Sequence, residues 1–95
     1  GLDNLTYALI INDTAHEFAT KIQVGILKQP GTFAKLTGVI GKKGINIIEL
    51  VQANNNSDDE VAEISATLSV KKLDEAEALI KTLLTKEFIK TAILV

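Results

Sequence analysis

The 95-residue sequence predicts an α+β fold of order βαββαβ, preceded by a short leading segment. Three observations predict it. Two stretches alternate apolar and polar residues with the period of a half-buried strand. In the first, Ile22, Val24 and Ile26 oppose Lys21, Gln23 and Gly25; in the second, Ala62, Ile64, Ala66, Leu68 and Val70 oppose Glu63, Ser65, Thr67 and Ser69. Two further stretches repeat apolar residues at intervals of three and four, the spacing of one helix face. These are Phe33, Leu36 and Ile40, then Ala76, Leu79, Ile80, Leu83 and Leu84. Turn residues punctuate the boundaries: Pro30-Gly31 after the first strand and Gly41-Lys42-Lys43-Gly44 after the first helix.

Taken in order, residues 5–11 (LTYALII) read as a short leading strand, followed by the turn-like Asn12-Asp13-Thr14. The strand over 20–28 stops at Pro30, which presets a turn and cannot donate to a ladder. A helix then runs from Thr32 to about Lys42, with Gly44 as a left-handed C-cap. Residues 45–53 (INIIELVQA) are β-branched enough to favour a strand. Residues 54–59 (NNNSDD) form a polar hairpin loop leading to the alternating strand over 60–70. Asp74 with Glu77 three positions on suggests a capping-box start for the second helix, which extends to about Lys86. Residues 88–95 (FIKTAILV) close the chain as a strand. Right-handed crossovers turn this order into a four-stranded antiparallel sheet with both helices on one face, a ferredoxin-like sandwich. The organisation expected is an N-terminal extension over 1–19 and one domain over 20–95.

Composition narrows the function. The chain is 46% hydrophobic with a net charge of −2, too apolar for disorder. Its apolar runs fall far short of the ~20 residues of a membrane span. Without cysteine there is no disulfide framework, thiol nucleophile or Cys-type metal site, and a cytoplasmic setting is expected. All ten cations are Lys. Arg forks serve most nucleic-acid and bidentate phosphate sites, so their absence weighs against those readings. The chain also lacks Met, even at position 1, and reads as a domain excised from a longer polypeptide, with ordinary Met removal as the alternative. No residue set suggests catalysis, and no cofactor or metal is expected. His16 stands alone beside Asp13 and Glu17, and Asp58-Asp59-Glu60 lacks the ligand spacing and turn glycine of a calcium loop.

Two pieces carry a family resemblance. Pro30-Gly31 is followed by Ala34 and Leu36 on the first helix, and Gly44-Ile45-Asn46-Ile47 leads into the second strand. In this order and spacing the sequence resembles the ACT domain family from about Ile22 to Val95. The resemblance implies a non-catalytic regulatory domain of a larger metabolic enzyme or regulator. It also implies pairing of two copies by side-by-side joining of sheets, with an amino acid or similar small carboxylate effector at the interface. Its ligand-binding residues would be Lys28, Gln29, Pro30, Gly31 and Thr32, with Asn46 and Ile47 facing them. The chemistry fits: free backbone N–H groups at a helix start suit a carboxylate, and an Asn amide both donates and accepts. Neither nucleic acid nor membrane is expected as a partner.

One position departs from the family. Asp or Asn often stands three residues before the turn glycine and holds the effector's amino group; here it is Lys28. Three readings stay open: an anionic effector, an amino acid in another pose, or no ligand, leaving a dimerisation module. A structural role for Asn46, satisfying backbone groups at a strand start, also stays open. A rival lies in Gly41-Lys42-Lys43-Gly44, which looks like the GXXG loop of KH nucleic-acid-binding domains. That reading needs a helix over 45–53, against the propensity of Ile45, Ile47, Ile48 and Val51. RNA-recognition motifs need stacking aromatics on the central strands, and the expected central strands hold none of Tyr7, Phe18, Phe33 and Phe88.

Overall fold

A computed structural model describes residues 17–53 and 60–95. The expected strand over 5–11, His16 and the loop over 54–59 lie outside the described residues. The remaining elements follow the expected order: β1 (Phe18–Leu27), α1 (Thr32–Lys42), β2 (Asn46–Gln52), β3 (Val61–Val70), α2 (Leu73–Leu83) and β4 (Ile89–Leu94).

Alternation in β1 and β3 becomes the core. Ile22, Val24, Ile26, Ala62, Ile64, Ala66, Leu68 and Val70 are all buried, and they join Leu36 and Ile40 of α1 and Leu79 and Leu83 of α2 in one cluster. The sheet is antiparallel with order β2-β3-β1-β4, so the two ten-residue strands lie at its centre and β2 and β4 form its edges. β1 and β3 pair over their full length, from Phe18 opposite Val70 to Leu27 opposite Val61. Both edge pairings contain a register shift, between Ile47 and Glu49 on β2 and between Gly25 and Ile26 where β1 meets β4. The β4 shift adjoins a close approach. A Cβ on Gly25 would lie 2.7 Å from the Thr91 hydroxyl oxygen and 3.2 Å from a Val61 methyl.

Helix ends show how the turns are made. At the end of α1 the Ile45 amide donates to Ile40 O and the Gly44 amide to Gly41 O, with Gly44 at φ 75°. That is a Schellman closure, with buried Ile45 as its apolar contact. It ends the helix at the Gly-Lys-Lys-Gly segment, and β2 follows directly. A KH arrangement, with helices on both sides of that segment, is therefore not the fold.

Four details differ from the sequence reading. Phe33 is 47% exposed, because the buried stripe of α1 runs Thr32, Leu36, Ile40 at intervals of four and leaves Phe33 on the outer side. Leu84 is 53% exposed, since α2 ends at Leu83 and the chain turns there. The start of α2 lies earlier than the Asp74–Glu77 pair suggested. Glu75 Oε2 accepts the amides of Lys71 and Lys72 at 3.1 and 3.2 Å, making half a capping box, since Lys72 has no acceptor to return the bond. Finally, β1 begins at Phe18, which puts an aromatic on a central strand. Phe18 packs against the core beneath the helices, so the open sheet face still gains no stacking platform from it.

Candidate functional site: the β1–α1 loop

The loop after β1 is built by a short set of local bonds. Pro30 fixes its own φ, and Gly31 takes φ 83°, a left-handed conformation that β-carbons oppose. The buried Thr32 hydroxyl lies 2.7 Å from Leu27 O and 3.0 Å from Gln29 O, tying the helix start to the end of the strand. Backbone bonds finish the fold of the loop: Gln29 N to Leu27 O, Thr32 N to Gln29 O, and Lys28 N across to Glu60 O. The Thr32 side chain is thus spent on structure, although the sequence reading placed it among the ligand contacts.

These bonds leave the start of α1 open. The amides of Gly31, Phe33 and Ala34 have no acceptor among the described residues, and no side chain caps the helix. Lys28, Gln29, Pro30 and Gly31 are exposed around them. Beside the loop is a hollow of about 270 Å³ lined by Leu27, Lys28, Gln29 and Glu60. A cation and an anion therefore flank it. Glu60 escaped the sequence reading. The β1–β3 register, which sets Leu27 opposite Val61, carries the next residues of the two strands, Lys28 and Glu60, together. Strand alternation marked both strands but gave no register.

Asn46 and Ile47 lie elsewhere in the same chain. Asn46 pairs with Ser69, which pairs with Ala19, so Asn46 belongs to the row at the start of β1, whereas the loop follows its end. Ala19 and Leu27 are separated by eight residues of strand. At ~3.4 Å per residue this is roughly 27 Å. One chain does not bring the two predicted halves together. Asn46 is exposed, and its side chain makes no hydrogen bond to any described residue, so a role in tying backbone groups at the strand start is not seen. Ile47 is half-buried against the core. Glu17 accepts a hydrogen bond from the Ser69 hydroxyl at 2.9 Å, on the strand next to Asn46. Among the described residues no group of three or more His, Asp and Glu is placed to hold a metal.

The family model for the ACT domain matches residues 14–90, most of the chain. The chain belongs to the ACT domain family. Its fold is shared with the ACT domain of a GTP pyrophosphokinase from Chlorobium tepidum, at TM-score 0.69 and 24% identity over 83% of this chain and 99% of that one. It is similar also to part of a homoserine dehydrogenase from Thiobacillus denitrificans, at TM-score 0.63 and 18% identity over 85% of this chain and 17% of that one. The regulatory subunit of aspartate kinase from Thermus thermophilus, in a ligand-free form, superimposes at TM-score 0.60 and 22% identity over 84% and 50% of the two chains. No curated protein matches the sequence. ACT domains are regulatory rather than catalytic modules, found within enzymes, and this chain is one such small domain. No helix among its described residues is long and apolar enough to cross a membrane.

Proposed function

We propose that this ACT domain senses a free α-amino acid at its β1–α1 loop, in a cytoplasmic enzyme or regulator, and that a second copy completes the site. The carrying observation is the charge pattern around the open helix start. Uncapped amides of Gly31, Phe33 and Ala34 suit a carboxylate, and Glu60, lining the same hollow as Lys28, places a carboxylate beside it that suits an α-ammonium group. Lys28 replaces the usual amino-group partner, and Glu60, the residue before β3, supplies a negative charge in its place. A dicarboxylate would meet Glu60 as a like charge, so the amino acid is the better fit.

The second copy is supported by where Asn46 lies. β2 is an edge strand, and antiparallel pairing with the β2 of a partner would lay each Asn46 alongside the other chain's β2 end. That end, Gln52 opposite Ile64, is the end of the sheet nearer the loop. Ile48 and Val51 of β2 are 55% and 48% exposed, and Phe33 of the neighbouring α1 is exposed too, giving that side apolar surface to cover. An effector bridging two copies would favour one arrangement of the pair by no more than its difference in affinity for the two.

Titration calorimetry with a panel of amino acids and a panel of dicarboxylates tests the reading. Saturable heat from at least one amino acid is expected, lost in Asn46→Ala and in Glu60→Gln. Heat from dicarboxylates alone would overturn the amino acid assignment. Silence from both panels, with the dimer intact, would leave an assembly module without a ligand.

A further inference from the structure

On the helix layer, away from the sheet edge, a groove of about 470 Å³ runs between α1 and the last turn of α2 with the segment that follows it. It is lined by Lys35, Gly38, Val39, Lys42 and Lys43 on one side and Thr82, Lys86 and Phe88 on the other. We propose that this groove binds a small organic polyanion with a flat apolar body, of the size and charge of a nucleoside diphosphate. The proposal goes beyond the amino-acid site and does not depend on it.

Charge makes the first argument. Four of the ten lysines line the groove in a chain of net charge −2, and no carboxylate lines it. Glu87, the acid next in sequence to Phe88, lines an adjoining hollow on the loop side, which shares Lys35 and Phe88 with the groove. None of the four lysines forms an ion pair with a described residue. Lys35 sits with its Nζ 5.9 Å from the centre of the Phe88 ring, a cation–π contact that holds it at one end of the groove. Lys35 and Lys42 are two helical turns apart on α1, roughly 10 Å at 1.5 Å per residue, so the charges lie toward both ends. Lysine acts as a point charge on phosphate oxygens, whereas a planar carboxylate pair favours the Arg fork this chain lacks.

Stability makes the second. Two features of α1 work against the helix, and both face the groove. Lys35 stands at the fourth helical position, where the positive end of the dipole disfavours a cation, and the first turn holds no acid to offset it. Gly38 stands mid-helix, where glycine is less favourable than alanine. Packing does not require it, because a Cβ there would meet nothing within 4 Å. What the missing side chain does provide is a flat floor beside Val39. Local rules broken without a packing return are expected where a site is being kept. Helix-end complementation explains Lys42 and Lys43 alone, and it leaves Lys35 and Gly38 unexplained. The volume lies within the ~300–1,000 Å³ of small-molecule sites, and the half-buried Thr82 adds a hydroxyl able to donate or accept.

The test is an amide chemical-shift titration of the 95-residue chain with ADP, pyrophosphate and adenosine as probes. ADP is expected to shift Gly38, Val39, Lys42 and Thr82, binding more tightly than either part alone and weakening with salt. The double charge reversal Lys42→Glu with Lys86→Glu, on exposed positions, should weaken ADP by at least ~10-fold, each ~1.4 kcal/mol being one decade. Gly38→Leu, which favours the helix, should fill the floor and abolish the shifts while circular dichroism stays unchanged. The proposal is overturned if ADP at millimolar concentration moves none of these amides. It is overturned equally if pyrophosphate or adenosine matches ADP, or if the charge-reversed chain binds as well.

Discussion

The Thr32 hydroxyl stands 2.7 Å from the carbonyl oxygen of Leu27, so the first residue of α1 is bonded to the last residue of β1 across the Lys-Gln-Pro-Gly turn. This bond, with its second contact to Gln29 O, sets where the open amides of the helix start point. Replacing the hydroxyl by an isosteric methyl removes its bond while Leu27 O keeps the Gln29 amide and Gln29 O the Thr32 amide, at a cost of about 0.5–1.5 kcal/mol. Thr32→Val should lose stability in that range in urea unfolding, and Thr32→Ser much less. Equal stability of the Val variant and the parent would show that the hydroxyl does not hold the loop.

Two exposed glycines of the same region should respond with opposite signs to alanine. Gly31 has φ 83°, so Gly31→Ala should destabilise by about 1–2 kcal/mol, the left-handed penalty of a β-carbon. Gly38 is helical with open space around its Cα, so Gly38→Ala should stabilise by about 0.5–1 kcal/mol. Thermal melts of the two variants decide it. Shifts of the same sign would contradict the backbone geometry.

In the centre of the sheet, Gly25→Ala should be destabilising by about 1–3 kcal/mol, because the new methyl meets the Thr91 side chain at 2.7 Å. Removing the obstruction tests the cause. In the double variant Gly25→Ala with Thr91→Ala, much of the loss should return, so that the two changes couple in a mutant cycle. Simple additivity would place the strain elsewhere, on Val61 first, whose methyl lies at 3.2 Å.

Pairing of two copies along β2 predicts a difference between the edges. A charge at exposed Ile48 on β2 should weaken edge-to-edge pairing, whereas one at Ile93, 57% exposed on β4, should not. Sedimentation velocity of Ile48→Lys and Ile93→Lys separates them, with the first shifted toward monomer. The reverse result would move the interface to β4.

Much of the fold was legible because β1 and β3 are half-buried strands with a strict period of two. The apolar positions Ile22, Val24 and Ile26, and Ala62 to Val70 in alternation, are buried as their polarity predicts, while Gly25, expected on the watery face, is buried too, under Thr91 and Val61. Gly44 was readable for a similar reason, since a Schellman closure needs a positive φ and few residues take one. Phe33 and Leu84 misled because helical spacing marks a stripe about a turn wide without saying which edge of it meets the sheet. The packing of α1 through Thr32, Leu36 and Ile40, and the end of α2 at Leu83, exposed them.

By itself, then, the sequence determined the order of elements, the core face of each central strand and the Pro30-Gly31 turn, all local in the chain. Tertiary structure decided what pairs across it. It set Glu60 against Lys28 through the β1–β3 register, parted Asn46 from the loop by the length of a strand, and gathered Lys35, Lys42, Lys43 and Lys86 around one groove. Periodicity reports which side of an element is apolar, a property of neighbours three or four residues apart. Register and helix placement depend on contacts between residues tens of positions apart, and those are settled only when the layers pack.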